Sequence, residues 1–332
     1  MKECLKIKSG KDQKQVECLN GKYKIYGTGG VIGTTNSYLY NKESVGIGRK
    51  GTIDKPFYFD KPFWTVDTLF YSEINNYYMP KYIYYLFQTI PWKKYNTSTG
   101  VPSLTSTTIE AIEKSFPLLE EQRKIAEFLS LIDERIETQI KIIDDYNSLK
   151  MGIYNWMFKE NYAGYKLKQL TYIVKGDQIN NDQLLSNGSY FMMNGGTSPS
   201  GYLNSYNVSE NTISISEGGN SCGYVQFNSS PFWSGGHCYT IQNVNSALIE
   251  NKYLYHYLKY KEKEIMNLRI GTGLPNIQKK DLENFTILVP SLLIQKKNLA
   301  LFEMLDEKIS ILNEELANLQ KQKKYLLYNM FI

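Results

Sequence analysis

Histidine occurs only twice in this 332-residue chain, at His237 and His256, and cysteine four times, at Cys4, Cys18, Cys222 and Cys238. Two histidines exclude a histidine-rich metal centre. The cysteines form no CxxC pair and lack the spacing of a zinc site or a disulfide framework, so they read as free thiols. No apolar run approaches the roughly 20 residues that a membrane span needs. The opening stretch MKECLKIKSGKDQ has no hydrophobic segment of the kind a secretion signal carries. The expectation is a cytoplasmic protein with no membrane association. Apolar residues make up 42% of the chain and charged residues 21%, which excludes a disordered polyelectrolyte and leaves room for two or three packed domains.

What is present is unevenly charged. Residues 1–100 carry 15 Lys and Arg against 8 Asp and Glu, and residues 161–280 carry 10 against 7. Residues 101–160 carry 7 against 11, and residues 281–332 carry 6 against 7. Two basic segments therefore alternate with two acidic ones. A polyanion would be held by the first kind and repelled by the second.

The alternation reflects a duplication. PLLEEQRKIAEFLSLIDERIE (117–137) aligns without a gap on PSLLIQKKNLALFEMLDEKIS (290–310), at a constant offset of 173. Pro117, Gln122, Lys124, Asp133, Glu134 and Ile136 meet Pro290, Gln295, Lys297, Asp306, Glu307 and Ile309. Further matches follow in the same order: GTGG (27–30) with MNGG (193–196), PFW (62–64) with PFW (231–233), KYIYYLF (81–87) with KYLYHYL (252–258), and TGVP (99–102) with TGLP (272–275). The offset drifts from 166 to 173, as it does when loops take insertions and elements do not. So long a period marks duplicated domains rather than a solenoid.

Each basic segment is predicted to be mostly strand. YKIYGTGGVIG, SVGIGRKGTI, PFYFDKPFW and TLFYSEI are short runs of β-formers broken by Gly, Asp and Pro, echoed by GSYFMMNGG, NTISISEGG, GYVQFNSSPFW and CYTIQNV. One short helix is expected in each, near 79–89 and 250–264; the tyrosines of YYMPKYIYYLF could offer stacking faces to bases, but their helical spacing favours the core. Pro117 ends the preceding strand, and no proline follows through Phe158. A heptad seam runs through Ile125, Leu129, Ile132, Ile136, Gln139, Ile143, Tyr146, Lys150, Ile153 and Met157. Its counterpart is Asn298, Phe302, Leu305, Ile309, Leu312, Leu316, Leu319, Lys323, Leu326 and Met330. This is a coiled-coil pattern, and each helix is the other's natural partner. About 41 residues at ~1.5 Å rise make a rod near 60 Å long. Antiparallel pairing would relate the two copies by a pseudo-twofold axis, matching the symmetry of duplex DNA with the rod as a ruler between half-sites. The fold class is α+β: two mostly-β domains separated by two long helices in an antiparallel coiled coil. The boundaries fall at 1–116, 117–159, 160–289 and 290–332.

In these blocks the chain resembles the specificity subunit of type I restriction–modification systems. The resemblance is carried by the helical block at 117–136 and its looser twin at 290–309, where Leu293, Ile294 and Asn298 replace Glu120, Glu121 and Ile125. IYGTGGVIG and TSTGVPSL also look like that family's target-recognition domains. The resemblance implies two target-recognition domains, each reading half of a bipartite double-stranded DNA site. It further implies helices that dock two methyltransferase subunits, on which restriction/translocase subunits assemble. S-adenosylmethionine, ATP and Mg would then be bound by those partners, and this chain would hold no cofactor or metal and be non-catalytic on its own. Gln122, Asp133, Gln295 and Asp306 would belong to the docking surface, although on residues alone they read equally as helix capping and surface polarity. Against YKLKQLTYIVKGDQ (165–178), the opening MKECLKIKSGKDQ lacks the YKLKQL strand, so the first domain is expected to be short at its start.

The residues agree with a non-catalytic reading. There is no Asn/Asp-Pro-Pro-aromatic tetrapeptide, no GxxxxGK[ST] loop and no carboxylate–lysine nuclease cluster. GIGRKG (46–51) fits GxGxxG only formally, because TIDKPFYFD follows it instead of a helix. Its glycines read as a turn displaying Arg49 and Lys50, either toward guanine or phosphate or simply into solvent. The aligned turn SEGGNSCG offers Glu217 and Asn220, a swap that suits cytosine and adenine and equally suits loop drift. Thr28, Lys93, Lys94, Asn194, Thr197, Ser198 and Arg269 are further candidates for DNA contact in polar or Gly-rich loops, and His237 reads as structural or base-reading. Two other readings remain at this point: a decoy or anti-restriction protein on the same scaffold, and a self-sufficient DNA methyltransferase.

Overall fold

The computed structural model describes residues 1–158, 162–271 and 273–331. Thr272 of the repeated TGLP and the boundary expected at 159/160 lie outside the described residues. The chain divides into two compact units, Met1–Lys141 with Asn313–Ile332, and Ile142–Leu312.

The first unit contains β1 (Leu5–Ser9), β2 (Tyr23–Gly27), β3 (Gly30–Thr35), β4 (Ser44–Gly48), β5 (Phe57–Phe59), β6 (Phe63–Thr65) and β7 (Leu69–Ile74). They form an antiparallel four-stranded sheet in the order β1-β7-β4-β5, and a three-stranded sheet β3-β2-β6 in which β2 and β6 run parallel. Two helices follow, α1 (Pro80–Thr89) and α2 (Ser106–Ala111). Proline opens α1, where its missing N–H costs nothing, and Thr105 caps α2 by accepting from the Thr108 amide. α1 turns Tyr82, Ile83, Tyr85, Leu86 and Phe87 into the core, against β4 and β5, whereas Tyr77, expected in the same core, is exposed just before the helix.

The second unit repeats the plan. After β8 (Ala163–Lys166) and α4 (Leu167–Leu170) come β9 (Tyr172–Lys175), β10 (Tyr190–Met193), β11 (Gly201–Leu203), β12 (Thr212–Ser216), β13 (Val225–Asn228), β14 (Trp233–Ser234) and β15 (Cys238–Gln242). The sheets are β13-β12-β15-β9, antiparallel, and β11-β10-β14, again with one parallel pair. Strand for strand they match the first unit, with β12 in the place of β4 and β15 in the place of β7. Three details differ from expectation. The helix expected at 250–264 is two, α5 (Asn251–Tyr260) and α6 (Glu262–Met266), broken where Lys261 leaves helical geometry at φ −86, ψ 8. YKLKQL is not one strand: Tyr165 and Lys166 end β8, and Leu167–Leu170 form the single turn α4. After α7 (Lys279–Glu283), β16 (Thr286–Val289) pairs with β8 in a ribbon that has no equivalent among the described residues of the first unit.

The long helices are α3 (Leu119–Met157) and α8 (Leu292–Met330), and each contributes one half to each unit. In the first unit Asp133 meets Lys323 at 2.6 Å and Gln139 donates to Glu315 at 3.1 Å. In the second, Lys150 pairs with Asp306, and the Tyr154 and Phe302 rings meet at 4.7 Å. Numbers rise on one helix as they fall on the other, so the pairing is antiparallel in both units. None of the twenty seam residues is exposed. Both seam lysines reach the acidic residue of the facing helix, which is why an apolar stripe tolerates them.

Candidate nucleic-acid interface

In the first unit β4 leads into the Arg49–Lys50 turn. The Arg49 and Lys50 amides both donate to the Thr68 carbonyl, at 2.8 and 3.2 Å, while the Arg49 carbonyl accepts from Leu104 and Gly51 donates to Pro102. The turn is thus pinned between β7 and the 97–104 loop. Two glycines make this possible. A Cβ on Gly48 would stand 1.9 Å from the Thr52 carbonyl, and Gly51 has φ +87. Thr28, from the β2–β3 hairpin, lies beside the turn, its hydroxyl 3.8 Å from the site of a Gly51 Cβ. The Arg49 guanidinium packs over the Phe70 ring at 5.9 Å and donates to the Asp67 carbonyl, half-buried, whereas Lys50 is exposed. Lys93 and Lys94 sit on a turn of 3-10 helix at the foot of the 97–104 loop. Both are exposed, and Lys93 bridges to Asp54 at 2.9 Å. Thr28, Arg49 and Lys50 therefore share one rim, with the two lysines at its base.

The equivalent turn of the second unit is built differently. Glu217 is drawn inward: Lys175 contacts its carboxylate at 2.5 Å, the Tyr239 hydroxyl donates at 3.3 Å, and His237 Nδ1 lies 3.4 Å away. Its side chain is 11% exposed against 63% for His237. The carboxylate is already saturated by its own unit, so it holds Lys175 and His237 in place rather than presenting itself. Burial, then the neighbouring Glu217 charge, pushes the Tyr239 hydroxyl up to about 12, so it remains a proton donor. Asn194 Oδ1 accepts from the His237 amide at 2.9 Å, and the Ser216 hydroxyl donates to the Gly195 carbonyl at 2.7 Å. Lys175, Asn194, Gly195, Glu217 and His237 line a concavity of about 510 Å³ that also takes in Gly218, Pro275 and Asn276. Thr197, Ser198, Asn220 and Arg269 are exposed in the surrounding loops. Lys175 escaped the sequence reading because nothing local distinguishes it; it reaches Glu217 only through the β9–β15–β12 register.

Gln122 and Gln295 are buried tethers. Gln122 Oε1 accepts from the Met79 amide at 3.0 Å and its Nε2 donates to the Pro117 carbonyl. Gln295 repeats this with Glu250, Leu248 and Pro290. Each fixes the start of a long helix to the start of the short helix in its unit. Asp133 is held by Lys323 and the Tyr85 hydroxyl, and Asp306 by Lys150 with His256 Nε2 at 3.9 Å. All four side chains make internal contacts. Exposed apolar groups on the same helices include Phe128 and Leu131 on α3 and Leu293 and Met304 on α8, which the seam period did not single out.

The family model of the type I restriction modification DNA specificity domain matches residues 1–144 and again 159–321. A Mycoplasma pneumoniae protein named as a type I specificity subunit is 32% identical over 178 residues, 53% of this chain and 46% of that protein. A Mycoplasma genitalium protein of the same description is 29% identical over 159 residues, 48% of this chain and 40% of its own length. The chain thus spans less than half the length of these two curated relatives. The specificity subunit of the type I restriction enzyme MjaIX of Methanocaldococcus jannaschii is 25% identical over 294 residues, covering 74% of this chain and 67% of that one. The fold aligns with a type I restriction–modification S subunit from M. genitalium at a TM-score of 0.72 and 20% identity, over 100% of this chain and 94% of the other. A chain from a type I system studied for complex assembly aligns at 0.57 and 14% identity, over 99% and 97%.

Proposed function

The chain belongs to the family of type I restriction modification DNA specificity domains, and we propose that its two units each read one half of a bipartite duplex DNA site for a restriction–modification complex. The observation carrying this reading is that topologically equivalent turns, after β4 and after β12, display different chemistry. One presents Arg49 and Lys50, which suit guanine and phosphate; the other exposes Asn220 and sequesters Glu217, beside which neighbouring loops place His237 and Asn194. Two copies of one scaffold with different reading groups suit two different half-sites.

In this reading the chain is non-catalytic and acts in the cytoplasm. Methyltransferase subunits dock on the long helices, and restriction/translocase subunits join them. The exposed Phe128 and Leu131, and Leu293 and Met304, offer apolar contact for such docking, in place of the internally bonded Gln122, Asp133, Gln295 and Asp306. S-adenosylmethionine, ATP and Mg belong to the partners. Mapping methylated adenines across the genome of a host with and without this gene tests the proposal. A two-part motif lost with the gene supports it, and an unchanged methylation map overturns it.

A further inference from the structure

The β2–β3 hairpin of the first unit carries two apolar side chains that its own core does not use. Its ladder pairs Gly27 with Gly30 and Tyr26 with Val31, then skips a residue to pair Ile25 with Gly33. Ile32 is thus the extra residue of a β-bulge. In an unbroken ladder it would lie opposite the fully buried Ile25 and share its face. The bulge turns it outward instead, as bulges re-aim side chains. Val31 and Ile32 are consequently exposed side by side, at 52% and 51%. The corresponding hairpin of the second unit has no such step. Tyr190, Phe191 and Met192 pair in regular register with Leu203, Tyr202 and Gly201, and Leu203 is buried.

The apolar pair is continuous with the rim that bears Arg49 and Lys50. A Cβ on Gly27 would stand 3.3 Å from Ile32 Cγ2 and 3.9 Å from Val66 Cγ2. Asp67 follows Val66, and its carbonyl accepts from the Arg49 guanidinium. At the tip Thr28 borders Gly51, and a Cβ added to Gly29 or Gly30 would meet nothing within 4 Å, so the tip stands open. Charges of opposite sign bound the pair. Lys50 is exposed on the side of the turn, whereas the Glu17 carboxylate lies over Gly33, 2.5 Å from the site of a Cβ there. A phosphate backbone is favoured beside Lys50 and repelled beside Glu17, which leaves Val31 and Ile32 to face base edges.

We propose that Val31 and Ile32 are specificity-determining residues that contact the C5-methyl group of thymine in the major groove of one half-site. The inference rests on the half-site reading above and adds the chemical group that is read. The thymine methyl is the apolar feature a base pair displays in the major groove. It matches two exposed aliphatic side chains flanked by a guanidinium and an ammonium group. The bulge belongs to the first unit alone, so the contact belongs to one half of the site. An apolar wedge driven between base steps would use the same side chains without needing the methyl, and the two are separable.

The test uses the full chain, purified with the subunits that accompany it, and a preferred duplex selected from a randomised pool. Each thymine of that duplex is replaced in turn by uracil, which lacks only the C5 methyl. Binding is measured for the unaltered chain and for the double variant Val31→Ser, Ile32→Ser. At one or two thymines, all in one half of the motif, uracil is expected to weaken binding by the unaltered chain about fourfold, the effect of one buried methyl. The double variant is expected to bind thymine and uracil alike there, and to respond as the unaltered chain does at every other thymine. The uracil series on the unaltered chain decides the matter if the double variant fails to fold. Indifference of the unaltered chain to uracil at every position overturns the proposal, and so does a double variant that keeps the full uracil response. If that indifference comes with a double variant that binds more weakly and bends the duplex less, the pair acts as a wedge. A pool that yields no preferred sequence overturns the half-site reading itself, and this proposal with it.

Discussion

His256 shows how one buried side chain couples this fold to pH. It is 3% exposed, and its Nδ1 lies 2.8 Å from the Tyr154 hydroxyl. Burial, followed by the charges of Lys150 and Lys252, pulls the imidazole from 6.5 down to about 3. The Asp306 carboxylate, 3.9 Å away, does not hold the proton, because it is already bound to Lys150. Above pH 6.5 neither the folded nor the unfolded chain carries this proton. Below it the unfolded chain takes the proton up and the folded chain does not, so stability is lost as pH falls toward 3. Going from pH 7 to pH 5 should cost about 2 kcal/mol at this residue. Urea denaturation at the two pH values checks this, and His256→Gln should flatten the difference by that amount.

The paired helices are held by packing that the heptad period made visible in the sequence. Phe302 is fully buried and touches the Tyr154, Phe158 and His256 rings. Phe302→Ala should destabilise the second unit by about 4 kcal/mol, read as a lowered denaturation midpoint; a loss under about 1 kcal/mol would show that the seam contributes little. These helices were legible because their period and their duplication are local properties of the chain. The β-rich runs were legible for the same reason, since β-branched and aromatic residues between Gly, Asn and Pro leave few alternatives. The break at Lys261 was not, because Leu258 and Ile265 continue an apolar spacing across it and only tertiary packing divides the helix. The roles of Gln122, Asp133, Gln295 and Asp306 were hidden for a related reason. A polar residue on a helix reads the same whether it faces solvent or is tied to a backbone amide 43 residues away, as Gln122 is to Met79. The candidate site was half legible. The Arg49–Lys50 turn announced itself by its glycines, while Glu217 looked like a displayed acceptor until Lys175, Tyr239 and His237 surrounded it.

For the molecule as a whole, the proposed division of labour separates two kinds of substitution. Lys50→Ala removes an exposed cation from the first unit. It should weaken DNA binding and, if Lys50 meets a phosphate, lower the slope of log K against log salt by about 0.9. Glu217→Gln keeps the volume but removes the charge that positions Lys175 and His237. It should alter preference within one half of the recognised motif and leave the other half unchanged. Selection from a randomised duplex pool, with binding measured at several salt concentrations, distinguishes the two. Equal degradation of both halves by Glu217→Gln would contradict separate reading.

The way each long helix is divided between the units also bears on how the chain is born. The second unit is a single uninterrupted stretch, 142–312, whereas the first needs both Met1–Lys141 and Asn313–Ile332. On the ribosome, the half that is synthesised first must wait for residues 313–332 before its core can close around Leu326, Met330 and Phe331. The later-made half can finish ahead of it. A chain cut short at residue 312 and released would therefore carry every residue of one lobe and leave the other open, and quality control would meet the amino-terminal lobe as the vulnerable one.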